Sequence, residues 1–226
     1  MIAKIVKYIM SVPKTLYFNF TVLPFKEAVK LPFLISYDLK LVGISKETIN
    51  IEGPISRFMI RLNFDQGSEG INIGLSSRGY LYTALGSKIK FRGPSTFTSG
   101  LSIRVDSGLL SIGENVYANK GIMISCSSEI VIGNNTLIGW NVVIRDSDGH
   151  NLLDESSNLI LNSPRSILIG SSTWIAANVT LLKGSKISKN SVVGYNSCVT
   201  KSFTEENVVI AGYPAKVLKK HVSWKK

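Results

Sequence analysis

Large aliphatic or aromatic residues recur at six-residue intervals over most of the chain. The longest unbroken series is Ile169, Ile175, Leu181, Ile187, Val193 and Val199. Shorter series with slips between them come earlier: Ile73, Leu85, Phe91, Phe97 and Ile103, then Ile112, Ala118 and Ile124, then Ile132, Ile138 and Ile144. A period of six matches neither the 3.6 residues of a helical turn nor the alternation of a single strand.

Small residues and glycines follow the large ones at fixed offsets. Four positions after a large residue come Val116, Thr136, Val142, Thr173, Val179, Ser185, Ser191 and Ser197, and directly after it come Gly113, Gly133, Gly139, Gly170 and Gly194. The pattern predicts three short strands per turn of about 18 residues, with large residues inside and small residues at the corners. We therefore predict an all-β solenoid, a parallel β-helix, over residues 41–212. An N-terminal arm occupies residues 1–40 and a tail residues 213–226.

The segment IRDSDGHNLLDESSNLILNSPRSILIG, residues 144–170, interrupts the repeat. A solenoid wall tolerates such an insertion as a loop that leaves the wall, and loops on rigid scaffolds often carry the chemistry. We predict this loop over about 145–166, with His150 near its start. An imidazole titrates near neutral pH and can act as a general base. Asp146 and Asp148 precede the histidine, and two interpretations stay open: one of them orients the ring, or both only solvate the loop.

The net charge of +11 lies at the two ends of the chain. Residues 1–44 carry six Lys or Arg against two Asp or Glu, and residues 183–226 carry nine against two. Such an excess predicts an anionic partner, either phosphate groups of a small molecule or a membrane surface. Nucleic acid is disfavoured because no aromatic-and-basic stripe or known binding motif accompanies the charge. The two cysteines form no disulfide framework, which favours the cytoplasm.

The N-terminal arm is basic and rich in aromatic residues. Its apolar run is too short and too interrupted for a transmembrane helix, and no signal-peptide cleavage site follows it. Two roles remain open for it, which are compatible with each other. The arm packs over one end of the core, or it makes a peripheral contact with a membrane surface, which would be the inner face of the cytoplasmic membrane.

Several phrases resemble a known family. IGNNTLIGWNVVI, IGSSTWIAANVTLLKGSKISKNSVVGYNSCVTK and AGYPAKVLKK are similar to segments of the hexapeptide-repeat acyltransferases. The N-terminal KTLYFNF…LPFKEAVKLPF resembles the subset that O-acetylates bacterial surface polysaccharides. The resemblance implies a left-handed coil, a short helical tail and a homotrimer with the acyl donor between subunits. It also implies acetyl-CoA as co-substrate, a sugar or glycan acceptor and no metal ion.

The resemblance further implies roles for individual residues. His150 falls where the family has its catalytic histidine, Asn119 where it has an acceptor-binding asparagine, and the Ala177 N–H where it stabilises the oxyanion. Donor binding is implied for Trp174, Ala177, Tyr195, Thr200, Lys201 and Lys219. Two positions depart from the family, since Ala176 stands for a glycine and Tyr195 for a small residue.

The predicted function is acetyl-CoA-dependent O-acetylation of a sugar hydroxyl by direct transfer, without a covalent intermediate. Two alternatives stay open: N-acylation of an amino sugar, and a catalytically inactive β-helix scaffold. A zinc enzyme on the same fold is disfavoured because it needs three histidines and the repeat region contains one. A nucleotidyltransferase fusion would need a further domain that this length does not hold.

Overall fold

Three parallel sheets wind around one apolar core in the computed structural model, which describes residues 2–65 and 78–225, with side chains from residue 5 onward. We call them faces A, B and C. Face A contains β1 (Phe33–Ile35), β4 (Ile60–Leu62), β7 (Ser95–Phe97), β10 (Val116–Ala118), β13 (Leu137–Ile138), β16 (Trp174–Ile175), β19 (Val192–Val193), β22 (Val209–Gly212) and β23 (Ala215–Lys219). Face B contains β2 (Leu39–Val42), β5 (Gly79–Thr83), β8 (Ser102–Val105), β11 (Met123–Cys126), β14 (Val143–Arg145), β17 (Thr180–Leu182) and β20 (Cys198–Val199). Face C contains β3 (Ile49–Ile51), β6 (Lys88–Phe91), β9 (Leu109–Ile112), β12 (Glu129–Ile132), β15 (Ile167–Ile169), β18 (Lys186–Ile187) and β21 (Ser202–Phe203).

Parallel strands that neighbour each other in a sheet are three apart in the chain, so the chain climbs one coil for every three strands. The predicted parallel β-helix is therefore confirmed. Each face stacks its large residues in one interior column, because residues in register on successive parallel strands lie directly above one another. The face B column, for example, contains Leu81, Ile103, Ile124, Ile144, Leu181 and Val199, all at most 2% exposed. Each such side chain contributes about 1.5–3 kcal/mol by leaving water.

The slips in the six-residue repeat all fall at one corner, between faces B and C. Leu85 was predicted to be an interior residue, and this was wrong: it is 89% exposed, and Leu81 fills the column instead. The reason is an added turn at residues 84–87, which separates β5 from β6 and shifts the spacing. Ile73, also predicted as part of the series, lies outside the described residues.

Glycines allow neighbouring coils to come close together at the corners. A Cβ on Gly139 would lie 2.5 Å from the backbone nitrogen of Ala177, and one on Gly133 would lie 2.5 Å from that of Ser171. The small residues predicted at corners are buried, including Thr136 and Ser191. The corner turns also use a left-handed residue, for which asparagine is favoured among residues with a side chain; Asn178 is one of them, with φ 58°.

Two helices precede the coil, α1 (Ile2–Val22) and α2 (Phe25–Ala28). Phe18 of α1 is fully buried and packs edge-on against Phe33 at 5.0 Å, so the helix covers the open end of the core. The β-helix begins at Phe33, earlier than the predicted boundary at residue 41. The sequence did not indicate this start, because the first coil lacks the six-residue spacing. Among residues 2–65 and 78–225, no helix is long and apolar enough to cross a membrane.

The C-terminal tail differs from the expected helix. Residues Ala215–Lys219 form β23, which pairs antiparallel with β22. The last face A strand would otherwise leave a free edge, and Gly212 at φ 111° supplies the reversal that brings the chain back along it. The inward positions Ala215 and Val217 are buried or half-buried, while Lys216 and Leu218 are exposed.

Candidate active site

The loop that breaks the repeat leaves the wall at the corner between faces B and C, through a narrow neck. At the neck the Arg165 N–H donates to the Asp146 carbonyl at 3.0 Å. The Asp146 carboxylate is fully buried and points back to the preceding coil, where it accepts from the N–H groups of Ser127 at 2.7 Å and Ser128 at 2.8 Å. Asp146 therefore fixes the point at which the loop begins.

The outer half of the loop is a small hairpin. Leu153 and Ile160 form an antiparallel bridge. At its tip, hydrogen bonds from the hydroxyls and N–H groups of Ser156 and Ser157 lower the pKa of Asp154 to about 2. The carboxylate therefore stays ionised and holds the turn throughout the neutral range.

Asn162 holds the backbone on both sides of His150. Its Nδ2 donates to Asp148 Oδ2 and to the His150 carbonyl, both at 2.8 Å, and its Oδ1 accepts from the Leu152 N–H at 2.7 Å. Lys183, from the next coil, donates to Asp148 Oδ2 at 2.6 Å and to the Asn162 carbonyl at 2.7 Å. The hydrogen bonds from Lys183 and then Asn162 lower the pKa of Asp148. The segment that carries the histidine is thus tied to the wall.

His150 is exposed at the base of this loop. Within the part of the chain that the structure describes, its imidazole makes no hydrogen bond, and the hydrogen bonds of the Asp146 and Asp148 carboxylates go to other residues. The carboxylate oxygens of Asp146 are engaged by backbone N–H groups, and Asp148 is engaged by Lys183 and Asn162. Both ring nitrogens are consequently open to a substrate.

Cys126 is the thiol beside the neck. It is buried, and burial, followed by the nearby Asp146 carboxylate, raises its pKa to about 12. Because the thiolate is the nucleophilic form of cysteine, this residue is inert at neutral pH. The geometry therefore offers an exposed imidazole on the loop and no activated thiol at the neck.

The residues predicted for the site fall on two different corners of the β-helix, apart from Lys219. His150, Asp146 and Asp148 lie at the corner between faces B and C, and Thr200 and Lys201 lie at the same corner two coils further on. A second group lies at or next to the corner between faces A and B, and consists of Asn119, Ala177, Tyr195 and, on face A itself, Trp174. Lys219 lies apart from both groups, at the end of β23 beside the first residue of β22. Face B separates the two groups, so one chain does not bring them together.

At the corner between faces A and B, side chains form a continuous polar column. Asn141 Nδ2 donates to Asn178 Oδ1 at 3.3 Å, and Asn178 Nδ2 donates to the Tyr195 hydroxyl at 2.7 Å. The Ala177 N–H makes no hydrogen bond to another described residue, as is also true of the equivalent N–H of Tyr195. Asn119, two coils before Ala177, donates from Nδ2 to the Ile138 carbonyl at 3.0 Å.

The predicted donor-binding residues are all at least partly open to solvent, apart from the buried side chain of Ala177. Trp174 is 38% exposed and packs against Trp224 of the tail, with ring centroids 6.1 Å apart. The Lys201 ammonium lies 5.6 Å from the centre of the Phe203 ring, and Lys219 is exposed at the end of β23. These positions leave the two ammonium groups free for an anionic ligand.

Three residues at these surfaces were not predicted from the sequence. Asn162 and Lys183 hold the histidine segment, and Trp224 covers Trp174 while donating from Nε1 to the Ser172 carbonyl at 2.7 Å. For Asn162, the sequence offered only a weak signal, namely an asparagine near the end of the insertion. Nothing in the local sequence shows which partner Lys183 or Trp224 meets, because both contacts join segments distant in the chain.

A six-residue solenoid whose wall opens into one histidine-bearing loop defines the class of the hexapeptide-repeat acyltransferases. The chain is 36% identical over 139 residues to the Escherichia coli K12 protein named "Putative lipopolysaccharide biosynthesis O-acetyl transferase WbbJ", a match that covers 55% of this chain and 69% of that protein. It is 33% identical over 141 residues to galactoside O-acetyltransferase of Escherichia coli K12, covering 62% of this chain and 64% of that protein. The chain belongs to this family of left-handed β-helix O-acetyltransferases and is an acyltransferase.

Other comparisons bear on parts of the chain or on the fold alone. Polysialic acid O-acetyltransferase of Escherichia coli O1:K1 is 30% identical over 144 residues, which cover 63% of this chain and 44% of that protein. The crystal structure of the polysialic-acid-specific acetyltransferase NeuO matches with a TM-score of 0.62 at 23% identity, covering 86% of this chain and 78% of that one. This second likeness shows the fold. No family model matches the chain.

Proposed function

We propose that this protein transfers an acetyl group from acetyl-CoA to a sugar hydroxyl of a bacterial surface polysaccharide or its precursor, with His150 as general base. The observation that carries the proposal is the open imidazole of His150 on a segment anchored by Asp146, Asn162 and Lys183. The names of the relatives support the acceptor class, since they refer to lipopolysaccharide biosynthesis, galactoside and polysialic acid. The supply of acetyl-CoA leads us to expect the enzyme in the cytoplasm.

The chemistry needs one proton acceptor and one hydrogen-bond donor. His150 takes the hydroxyl proton as the sugar oxygen attacks the thioester carbonyl, so that a C–O bond forms. The C–S bond then breaks, and the imidazolium returns the proton to the departing thiolate. The Ala177 N–H donates to the carbonyl oxygen while that oxygen carries negative charge. A thioester is already activated, so neither a metal ion nor an acyl-enzyme is required, in keeping with the inert Cys126.

Two subunits are needed to assemble this site, because His150 and Ala177 lie at opposite edges of face B in one chain. A closed ring of three chains would set the corner that carries His150 in one chain against the corner that carries Ala177 and Asn119 in the next. Face B, which lies between these corners, would then line the three-fold axis. Its outer surface bears the apolar Met123, 49% exposed, together with the half-buried Val143 and Leu182. Burying them stabilises such a ring.

The protein is therefore expected to be a trimer, with three times the 24.7 kDa mass of one chain in light scattering. Met123→Glu places a charge on the outer surface of face B and should reduce the trimer and the transfer rate together. Val131→Glu, at a half-buried position on the outer surface of face C, is the control and should change neither. A monomer that transfers acetyl groups at the full rate would contradict the shared site.

The basic residues near the end of the coil are expected to hold the phosphates of acetyl-CoA. Replacing both Lys201 and Lys219 with alanine should raise KM for acetyl-CoA about tenfold and leave kcat nearly unchanged, because these contacts are equally strong in ground and transition states. The difference should shrink as salt rises. Lys189→Ala, at an exposed lysine paired with Glu206, is the control. An unchanged KM in the double variant would remove both lysines from the donor site.

The acceptor can be identified by mass spectrometry of surface glycans from cells with and without the gene. Loss of an O-acetyl group in the deleted strain, restored by the wild type and not by His150→Ala, would support the proposal. Loss of an N-acetyl group would identify an amino-sugar acceptor instead. No change in the glycan, with no turnover of acetyl-CoA by the purified protein, would indicate an inactive scaffold.

A further inference from the structure

The first helix has its polar side facing the protein. Ser11, Thr15 and Asn19 are buried, four residues apart, and meet alternate backbone groups of the segment 33–37. The Asn19 side chain accepts from the Phe33 N–H at 3.1 Å and donates to the Phe33 carbonyl at 2.8 Å. The Thr15 hydroxyl accepts from the Ile35 N–H at 3.0 Å, and the Ser11 hydroxyl accepts from the Tyr37 N–H at 3.0 Å. Four residues of a helix rise about 6.0 Å, and two residues of a strand rise about 6.6 Å. The spacing of the polar side chains along the helix therefore matches the spacing of the backbone N–H groups along the strand. The helix thus caps the free edge of β1.

This arrangement turns the apolar side of α1 outward. Eight large hydrophobic side chains of the helix are between 41% and 65% exposed, with Ile5, Ile9, Val12 and Tyr17 above 50%. A helix on a water-facing surface normally shows the reverse distribution. A contiguous apolar surface of this kind marks a contact with another protein or a lipid phase.

The charges of the helix are withdrawn from this surface. The Lys7 ammonium donates to the Asn63 carbonyl at 2.9 Å, and the Lys14 ammonium to the Leu39 carbonyl at 2.9 Å. No acidic residue occurs in residues 2–22. From residue 5 to residue 22, the outer side of α1 therefore presents apolar groups and no ionised one.

Basic residues border the same surface. Phe25 is 72% exposed and packs against Phe20 at 5.9 Å, which extends the apolar side of α1 to the exposed Lys26 and Lys30. On the other side, a cleft of about 230 Å³ runs between α1 and Leu31, Leu34 and Phe58, next to the exposed Arg57. A wide apolar strip with basic edges matches the profile of a helix that lies in a membrane interface.

We propose that the outer side of α1 docks the enzyme on an anionic lipid bilayer. Apolar side chains enter the region between headgroups and acyl chains, while Lys26, Lys30 and Arg57 meet the lipid phosphates. A second copy of the chain is a poorer occupant, because it would bring its own basic edge of Lys26, Lys30 and Arg57 against the first one, whereas anionic lipid neutralises that edge. The docking would hold the transferase at a membrane surface, where lipid-linked glycan precursors would be within its reach.

Vesicle sedimentation with the full chain tests this proposal. The wild type should sediment with vesicles of phosphatidylcholine containing about 30% phosphatidylglycerol, and at least tenfold less with phosphatidylcholine alone. Ile9→Glu should lower binding to the anionic vesicles at least tenfold, and Lys26→Gln with Lys30→Gln several-fold. Leu85→Glu, the same kind of change at an 89% exposed residue elsewhere, is the matched control and should bind as the wild type does.

Two outcomes would overturn the proposal. One is a wild type that does not sediment with anionic vesicles, or an Ile9→Glu variant that sediments with them as the wild type does. The other is an Ile9→Glu variant whose mass in light scattering falls while vesicle binding stays the same, which would make the surface a contact between copies. Acetyl transfer to a soluble acceptor should be normal in Ile9→Glu, so failure of the docking and failure of the proposed function remain distinguishable.

Discussion

Replacing His150 with alanine is expected to lower kcat about 10²–10⁴-fold, the usual contribution of a positioned general base. The side chain is exposed, makes no hydrogen bond to another described residue and packs none of the interior columns. Folding, assembly and binding of acetyl-CoA should therefore be unaffected. The loss should appear in kcat measured at saturating acetyl-CoA, and added imidazole should restore part of the rate by serving as a free base.

His221→Ala is the matched control, since His221 is the only other histidine in the chain. It is exposed in the tail, in a left-handed backbone conformation with φ 58°, and should retain full activity. If His150→Ala keeps more than about a tenth of the wild-type rate, another group accepts the proton. If the two variants behave the other way round, the loop is not the active site.

The sequence predicted the coil because the interior columns repeat with little variation. Its six-residue register holds from Ile169 to Val199, where every corner is short. The register was misassigned at Leu85 because the corners between faces B and C vary in length in the earlier coils. Extra residues there leave the strand positions intact, so a strict count of six cannot locate them. Hydrophobicity alone could not distinguish Leu81 from Leu85.

The loop was predictable as an interruption, and the contacts that fix it were not. Asp146 is buried against backbone N–H groups of the preceding coil, an arrangement that depends on how the coils stack. The same holds for Lys183, whose partner Asp148 is 35 residues away in the chain. Whether Asp146 or Asp148 orients the histidine stays a prediction, since neither is hydrogen-bonded to the imidazole within the described residues.

The two ends of the chain show where local sequence misleads. In α1, the buried residues include Ser11, Thr15 and Asn19, because the edge of β1 offers unpaired backbone groups that only polar side chains can satisfy. A prediction from amphipathicity would recognise the helix correctly, but it would place the apolar side against the protein, whereas the structure places much of that side in solvent. In the tail, residues Ala215–Lys219 form a strand that pairs with the otherwise free edge of β22, although a helix was expected there.

A second large effect is expected for Gly139→Ala. The added Cβ would lie 2.5 Å from the backbone nitrogen of Ala177 and 2.7 Å from the carbonyl carbon of Ala176. Backbone atoms of a neighbouring coil cannot rotate away as a flexible side chain can, so the two coils must separate locally. Overpacking of this kind costs about 1–3 kcal/mol of unfolding free energy. It should also displace the Ala177 N–H from the oxyanion position, and a shift of about 1 Å at a reacting group can cost 10²-fold in rate.

Gly113→Ala is the control that separates these two effects. Its Cβ would lie 2.7 Å from the backbone nitrogen of Asn134, a similar clash at the corner between faces C and A, away from the Ala177 N–H. Chemical denaturation should show similar losses of stability for both variants. Measured well below their melting temperatures, Gly139→Ala should have a kcat at least tenfold lower than Gly113→Ala, because only the first clash moves Ala177. Equal kcat values in two equally destabilised variants would mean that the Ala177 N–H takes no part in the transfer step.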